Sequence, residues 1–357
     1  MKAKALHFGK AISAALFVLL LSVAGTKNAL AQLQVGTLQH GDTISTFYGS
    51  GAFVEAYNAA ADGDIITLSG GSFTGCDINK NNLTIRGTGP VANAETGTEA
   101  TLLTRNGSIY IGGSSSSDPL LDLYMEGIFF PGTVIYYNMN NPTFARCNFE
   151  YFDYGSGKTL SGAQFINCVF KRINGGNAYN SAFINCVINQ IDSFGGDHGY
   201  VFYNCQVVYG ATYWMYSITA YNSIFIKSEG TYVANNDCNF YNCIAISLDG
   251  NSPFGQAHTE NCFLYTPAIS PNSNPYEAVY QTFRGGDFNF AEAYLLLDVI
   301  ATGFPTTNGT EVGIHGGNVP YTSRPFYQIL RTINVPQNSD TEGKLNVEIE
   351  VINPQDR

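Results

Sequence analysis

Hydrophobic residues in the middle of the chain recur with a period of about 19 residues, separated by short polar stretches. Each repeat contains the phrase aromatic, any residue, Asn and Cys, for example at 165–168, 183–186, 202–205 and 240–243. The last residue of this phrase, or its replacement, is termed the anchor of the repeat. The anchors are Cys147, Cys168, Cys186, Cys205, Ser223, Cys243 and Cys262. A fixed period over seven copies predicts a repeat architecture in which each unit packs against its neighbours.

Two apolar positions in each repeat alternate with polar ones, which is the pattern of a strand with one buried face. They lie three residues before and two residues after the anchor, as do Phe165 and Phe170 around Cys168. The residue before the anchor is Asn in six of the seven repeats, and Asn readily adopts the left-handed backbone region. Each unit is therefore predicted to be a strand, an Asn bend, a second strand and a turn. Stacked about 4.8 Å apart, such units form a parallel β-solenoid. The large inward Phe residues favour the all-β, right-handed parallel β-helix class.

The first 31 residues have the composition of a signal peptide. Lys2, Lys4 and Lys10 form a basic start, and residues 11–23 are an apolar run too short for a confident membrane span. Small residues precede a predicted cleavage site after Ala31. The mature protein is therefore predicted to be exported, either secreted, held at the cell surface or periplasmic. No later stretch is apolar enough to predict a membrane span.

The remaining chain divides into three predicted regions. Residues 32–62 form an N-terminal segment with a short capping helix at 51–61, where apolar residues follow helical spacing. Residues 63–320 form the solenoid. Residues 321–357 form a C-terminal linker and a tail strand, because residues 344–351 alternate between apolar and polar.

Two segments carry a resemblance to known proteins. Residues 60–66 (Ala-Ala-Asp-Gly-Asp-Ile-Ile) and 82–87 (Asn-Leu-Thr-Ile-Arg-Gly) resemble the opening of the pectin-lyase-like, right-handed parallel β-helix superfamily. Residues 287–290 and 309–317 resemble the closing coil of secreted β-helix proteins from Bacteroidetes-like bacteria. The resemblance spans roughly residues 45–320 and implies the fold. It leaves the activity open, because the superfamily contains lyases, hydrolases, esterases, adhesins and phage spikes.

Composition and charge narrow the choice of partner. The formal net charge is −11, and only 13% of residues are charged. An acidic surface repels nucleic acid and anionic membranes, so neither is a predicted partner. A surface rich in uncharged polar residues and Tyr is typical of secreted β proteins and of sugar-binding faces. The predicted partner is therefore a polysaccharide or a cell-surface glycan.

The eight cysteines allow two interpretations. In an oxidising compartment, stacked anchors such as Cys168 and Cys186 would be close enough for a disulfide. The alternative is a column of buried free thiols that act as small apolar residues. The alternative is favoured, because Ser223 and Gly127 are predicted to occupy the same column. Cys238 lies outside the column and is the better candidate for a bridge or an exposed thiol.

A second column contains polar oxygens. Asp153, Asn174 and Asp192 each follow their anchor by six residues and should lie on three adjacent coils. Such a set suits Ca²⁺, and many lyases of the resembled superfamily use Ca²⁺. The simpler interpretation is that Asp and Asn begin turns. No cofactor is predicted apart from Ca²⁺ in the case of a lyase.

Three residues are candidates for catalysis by a polysaccharide lyase. Such an enzyme needs a base near the abstracted proton and a cation that neutralises the uronate carboxylate. Lys171 and Arg172 fit these roles, and His198 lies in a Gly-rich loop where it would act as an acid or base. Each has a structural alternative: Glu150 is placed to form a surface ion pair with Lys171, and a polar loop is the usual setting for a histidine.

Aromatic residues form the most informative candidate site. Tyr203, Tyr221 and Tyr241 share the column two residues before the anchor, which should point outward on consecutive coils. Tyr213 and Trp214 lie nearby in sequence. Exposed rings bind sugars, but outward rings also stabilise sheets by cross-strand stacking. Two functions follow: a non-catalytic protein that presents an extended face to a polysaccharide or surface partner, which is favoured, or a polysaccharide lyase.

Overall fold

The computed structural model describes residues 34–93, 97–154, 158–174, 176, 178–193, 199–209, 216–227, 234, 237–248, 251–267, 275–281, 283, 296–304, 311–321, 329–334 and 348–352. The strands to residue 145 are β1 (Val35–His40), β2 (Thr43–Tyr48), β3 (Ile65–Leu68), β4 (Gly71–Thr74), β5 (Thr84–Arg86), β6 (Thr101–Thr104), β7 (Ile109–Ile111), β8 (Leu120–Leu121), β9 (Tyr124–Glu126), β10 (Phe129–Tyr136), β11 (Met139–Asn140) and β12 (Thr143–Ala145). The following strands are β13 (Asn148–Tyr154), β14 (Leu160–Ser161), β15 (Gln164–Ile166), β16 (Val169–Phe170), β17 (Ile173–Asn174), β18 (Ala178–Tyr179), β19 (Ser181–Ile184), β20 (Val187–Ser193), β21 (Tyr200–Tyr203) and β22 (Gln206–Tyr209). The last strands are β23 (Ile218–Tyr221), β24 (Ile224–Lys227), β25 (Asn239–Tyr241), β26 (Ile244–Ser247), β27 (His258–Glu260), β28 (Phe263–Tyr265), β29 (Ile329–Asn334) and β30 (Glu348–Ile352). The helices are α1 (Ala52–Ala59), α2 (Asp298–Gly303) and a 3₁₀ turn at Pro275–Ala278.

These strands form a parallel β-solenoid of about 9 turns, so the predicted fold class is confirmed. Sheet A has the order β2-β1-β3-β5-β9-β12-β15-β19-β21-β23-β25-β27, and sheet B runs from β4 to β28 along the opposite side of each coil. Sheet C contains the short strands β8, β11, β14 and β18. From β3 onward the coils pair in parallel, and Phe165 is in register with Phe183, as Phe183 is with Phe202. The 19-residue period therefore corresponds to one coil.

The inward columns form a continuous aromatic core. Phe144, Phe165, Phe183 and Phe202 stack on one another with ring centroids 5.3, 4.8 and 5.0 Å apart. Phe170, on sheet B, meets Phe165 edge to face at 5.4 Å. These five rings are at most 1% exposed, which confirms that the columns at anchor minus three and plus two point inward.

Asn residues make the predicted bends between sheets A and B. The residue before the anchor has a φ between 48° and 54° in all six Asn copies, at 167, 185, 204, 222, 242 and 261, and a φ of 49° at Arg146. A second series of bends, between sheets C and A, was not predicted. Its positive φ values lie at Asp122, Asn141, Gly162, Asn180, Gly199 and Ser217.

The placement of Gly127 in the anchor column is wrong by one residue. Glu126 pairs with Ala145, so Gly127 aligns with Arg146 at the bend. Ile128, which is fully buried, then occupies the column of Cys147. The coil from Ile128 to Cys147 is 19 residues long, one residue shorter than the spacing from which the position was predicted.

The N-terminal end is closed by more than the predicted helix. Helix α1 lies within the predicted range 51–61 and buries Phe53 and Ala56 against the core. It is preceded by the antiparallel hairpin of β1 and β2, whose first strand pairs antiparallel with β3. Asp64 joins these parts, because its carboxylate lies 2.7 Å from Nδ1 of His40 and accepts a 2.7 Å hydrogen bond from the backbone N–H of Ala61.

The described residues after β28 cover the outer face of sheet B. In a second hydrophobic cluster, the sheet contributes Val169, Val187, Val208, Ile224, Ile226, Ile244 and Ile246, and the C-terminal part contributes Tyr276, Val279, Tyr280, Leu296, Ile300, Phe304, Val312 and Ile314. The described part of the predicted closing coil, 311–317, forms turns rather than a coil. The tail strand exists as β30, but its partner is β29, within the run predicted as a linker.

Candidate functional site

The three outward tyrosines form a stacked ladder on sheet A. The ring centroids of Tyr203 and Tyr221 are 5.3 Å apart with an interplanar angle of 9°, and those of Tyr221 and Tyr241 are 5.2 Å apart at 14°. His258 continues the row on the last coil, edge to face with Tyr241 at 5.9 Å. Tyr203 is 41% exposed. The predicted outward column is therefore present, and Tyr213 and Trp214 lie outside the described residues.

Stacking determines what the ladder offers to a ligand. Both faces of the Tyr221 ring are covered by Tyr203 and Tyr241, so this ring cannot stack on a sugar. The hydroxyl groups and ring edges remain, repeating at the spacing of the coils. A phenolic hydroxyl both donates and accepts hydrogen bonds. The ladder is thus a row of hydrogen-bonding groups on an apolar support.

The rest of this face is polar and weakly charged. The neighbouring outward column contains Val201, Thr219, Asn239 and His258 on consecutive coils. Glu260 is the charged residue at the end of the tyrosine column. Unlike the outer face of sheet B, none of these residues belongs to the cluster formed with the C-terminal layer.

A buried ion pair lies on sheet A nearer the N-terminus. Nη2 of Arg146 is 3.0 Å from Oε1 of Glu126, and the two side chains are 0% and 3% exposed. The hydroxyl of Tyr124 donates to Oε2 of Glu126 at 3.1 Å. Burial chiefly, and then the negative charge of Glu126, raise the pKa of Tyr124. Arg86 is in register beside Glu126, so two arginines flank one carboxylate. The sequence signal for this cluster was the Arg that replaces Asn at the bend.

The candidate catalytic cations lie on the sheet B side of the coils and are not brought to the tyrosine ladder. Nζ of Lys171 is 2.5 Å from Oε1 of Glu150, in an exposed ion pair. The guanidinium of Arg172 lies 4.8 Å from the ring centroid of Tyr151. The alternative interpretation of Lys171 as half of a surface ion pair is therefore confirmed. His198 lies outside the described residues.

The candidate calcium column is interrupted by a bulge. Asp153 is in β13 and Asn174 in β17, one residue beyond the paired Phe152 and Ile173. A register shift then pairs Asn174 with Ser193 instead of Asp192. In the described part of the chain, no group of three or more His, Cys, Asp or Glu side chains is placed to hold a metal ion. The calcium site stays a prediction.

The cysteine column is a file of free thiols with structural hydrogen bonds. All eight cysteines are free. The thiols of Cys168, Cys186 and Cys205 each lie 3.2 Å from a backbone carbonyl oxygen of the preceding coil. Burial raises the pKa of Cys168 and Cys186 well above the usual value. Cys238, predicted to be a bridge or an exposed thiol, is fully buried and free, because its side chain packs in the main core.

The segment 311–321, termed the strap, crosses the Asn bends of several coils. Nδ2 of Asn185 donates to the carbonyl oxygens of Ile314 and Gly316 at 2.8 and 2.7 Å. The bends at 167 and 204 donate to the strap at 3.4 Å each. Beyond the strap the amides pair with one another: Nδ2 of Asn261 donates to Asn242 at 2.7 Å. The strap therefore uses bend amides that would otherwise pair along the ladder.

Asn185→Ala is expected to loosen the strap. The variant removes two hydrogen bonds and leaves two strap carbonyls without these donors, which costs about 1–3 kcal/mol in the free energy of unfolding. Asn261→Ala is the matched control, since both residues adopt a left-handed φ near 50° but Asn261 does not contact the strap. Hydrogen exchange of peptides from 311–321 should accelerate in Asn185→Ala and stay unchanged in Asn261→Ala. Equal exchange in both variants would contradict the assignment.

Comparisons with known proteins give no family. No helix among the described residues is long and apolar enough to cross a membrane. No family model matches the chain, and neither a curated protein nor a solved structure matches it. The resemblance to the pectin-lyase-like superfamily thus stays an expectation from the sequence, whereas the parallel β-solenoid is shown by the structure.

Proposed function

We propose that this protein is an exported, non-catalytic β-solenoid that binds a polysaccharide or glycan on the outer face of sheet A. The observation that carries the proposal is the ladder of Tyr203, Tyr221 and Tyr241, a regular outward row of hydroxyl groups. Polysaccharides also present hydroxyl groups at a regular repeat along an extended chain. A rigid sheet holds the hydroxyls in place before binding, which lowers the entropy cost of association.

The two faces of the solenoid differ in a way that supports this assignment. The outward residues of sheet B are apolar from Val169 to Ile246, and the chain covers them with its own C-terminal layer. The outward residues of sheet A around the tyrosines are polar and partly exposed. Polar groups that already tolerate water suit reversible binding of a hydrated ligand, since interfaces of this kind are routinely bridged by water.

The charge distribution favours a neutral glycan over a polyuronate. The chain carries a net charge of −11, and Glu260 adds a carboxylate at the end of the tyrosine column. A uronate-containing polymer would be repelled by the mean charge of the protein. Hydrogen bonds from tyrosine hydroxyls need no charge on the ligand.

The alternative function, a polysaccharide lyase, has weaker support. A lyase needs a base and a cation near one substrate carboxylate. Lys171 is paired with Glu150, and Arg172 lies against Tyr151. These cations lie on the sheet B side, away from the ladder, so the two sets of candidate residues do not build one site.

Affinity electrophoresis of the mature protein through gels containing neutral or uronate-containing glycans tests the proposal. Retardation by a neutral glycan is expected. The triple variant Tyr203→Phe/Tyr221→Phe/Tyr241→Phe keeps the stacked rings and loses the hydroxyls. Its affinity should fall at least about tenfold, since a net hydrogen bond contributes about 0.5–1.5 kcal/mol.

The matched control is a second tyrosine stack on the sheet B side. The rings of Tyr110 and Tyr137 lie 5.4 Å apart at 7°, and Tyr110→Phe/Tyr137→Phe should leave retardation unchanged. An equal loss in both variants, or no retardation by any glycan, would refute binding at the ladder. Release of unsaturated products, followed by ultraviolet absorbance and abolished by Lys171→Ala, would establish the lyase instead.

A further inference from the structure

The last coil of the solenoid is its least covered part. All three residues of β27 are exposed. Leu264 occupies the inward column two residues after the anchor, yet it is 48% exposed, because no described strand pairs with the far side of β28. Its counterpart one coil earlier, Ala245, is fully buried. The core is therefore accessible at this end in a way that it is not elsewhere in the described chain.

Two thiols lie side by side at this open end. Tyr241 pairs with Glu260 and Ile244 pairs with Phe263, so the enclosed residues Cys243 and Cys262 are in-register neighbours. Adjacent strands lie about 4.8 Å apart, which falls within the Cα separation of roughly 4.4–6.8 Å that a disulfide accepts. Cys243 is fully buried, and Cys262 is half-buried at the rim.

The pair is isolated from the rest of the thiol column. Ser223 takes the anchor position between Cys205 and Cys243, where its hydroxyl donates to the carbonyl of Tyr221 at 2.9 Å. The thiols from Cys147 to Cys205 are fully buried. A reagent from solvent can therefore reach this column only at Cys262.

The surroundings favour ionisation of the exposed thiol over its neighbour. The hydrogen bond from Cys243 is the main cause that lowers the pKa of Cys262 to about 7, while burial raises the pKa of Cys243 well above its usual value. The other half-buried thiol, Cys76, behaves differently, since burial raises its pKa to about 11. The thiolate is the reactive form of cysteine, so Cys262 is the reactive one of the two half-buried thiols.

We propose that Cys243 and Cys262 form a redox-active dithiol that closes to an intramolecular disulfide when it meets a small disulfide such as glutathione disulfide. The Cys262 thiolate attacks one sulfur of glutathione disulfide, forms a mixed disulfide and releases one glutathione thiolate. Sγ of Cys243 then attacks the Cys262 sulfur, and its proton leaves with the second glutathione. One protein disulfide forms, and one glutathione disulfide is reduced to two thiols.

The disulfide would fix the terminal coil to the coil before it. These two coils carry Tyr241 and His258, the last two rings of the outward row. Closing the dithiol therefore secures the exposed end of sheet A against local unfolding, to which terminal coils with few buried contacts are prone. The proposal does not depend on glycan binding, because it concerns only the thiols and the coil that holds them.

Peptide mapping by mass spectrometry tests the proposal on the mature protein. The protein is first fully reduced and then incubated with glutathione disulfide near pH 7. The expected product is a single cross-linked peptide pair that contains Cys243 and Cys262. Cys243→Ser should instead accumulate glutathione on Cys262, since the resolving thiol is missing, and Cys262→Ser should form neither product. Ser223 shows that the column accommodates serine, so both variants are expected to fold, which near-ultraviolet circular dichroism checks.

Cys76→Ser is the matched control and should give the same cross-linked pair as the unmodified sequence. Glutathione found on Cys76 before Cys262 would refute the assignment of the reactive thiol. A mixed disulfide that persists at Cys262 while Cys243 is present would refute the dithiol. A bridge between any other pair of cysteines would also overturn the proposal.

Discussion

Replacing Glu126 with alanine is expected to destabilise the solenoid by about 3–5 kcal/mol, because it leaves the buried charge of Arg146 without its partner. The Arg146 side chain is 0% exposed, and its Nη2 lies 3.0 Å from the Glu126 carboxylate. Water cannot replace the lost carboxylate without opening the bend. The hydroxyl of Tyr124 also loses its acceptor. Urea denaturation followed by circular dichroism measures the loss.

A double variant separates the charge effect from the loss of packing. Asn occupies the position of Arg146 in the six other bends with an anchor, with nearly the same φ. Glu126→Ala/Arg146→Asn should therefore recover most of the lost stability, since it removes the unpaired cation and supplies the residue that this backbone prefers. Glu150→Ala, which breaks the exposed pair with Lys171, should cost at most about 1 kcal/mol. Equal costs for Glu126→Ala and Glu150→Ala would show that burial does not determine the strength of the Arg146 pair.

The sequence predicted the part of the fold that repeats. The anchor spacing gave the coils, and the Asn before the anchor gave one bend per coil, because left-handed backbone strongly selects Asn and Gly. The second series of bends went unnoticed because its residues vary: Asp122, Asn141, Gly162, Asn180 and Ser217 all serve. Several residue types satisfy the same φ, so no single letter marks the position.

The C-terminal layer carried a detectable signal. Strands covered on both faces read as continuous apolar runs, and 224–226 and 244–246 are such runs, with Val169 and Val187 in the same outward column. The alternation expected for one buried face drew attention away from them. The covering residues themselves, such as Tyr280 and Ile314, come from irregular segments without a period, so nothing in the sequence indicated where they would pack.

The candidate site shows the same division between position and geometry. The parity of the strand placed Tyr203, Tyr221 and Tyr241 on the outside, and the structure agrees. The coil spacing then brings the rings within stacking distance, and this stacking removes the ring faces from the ligand. Periodicity predicts a column of side chains, whereas the orientation of each ring depends on its neighbours in the folded sheet.

Phe165→Ala is expected to cost about 3–5 kcal/mol and to weaken the middle of the solenoid, because it opens a cavity in a fully packed aromatic stack. The ring lies between Phe144 and Phe183, at centroid distances of 5.3 and 4.8 Å, and its side chain is 0% exposed. Neighbouring coils cannot move together to fill the gap, since their spacing is fixed by the hydrogen bonds of sheets A and B. Phe165→Leu keeps much of the volume and should cost clearly less.

The control for this prediction is an aromatic residue in the same sheet that points the other way. Tyr203→Ala removes a ring of similar size that is 41% exposed, so it should cost less than half as much in urea denaturation. In a solenoid, stability depends on the interfaces between adjacent repeats. Phe165→Ala should therefore also accelerate hydrogen exchange in β12 and β19, the strands on either side of β15, more than in the distant β25. Uniform acceleration along the chain would contradict this nearest-neighbour account, and a cost no larger than that of Tyr203→Ala would contradict the assignment of Phe165 to the core.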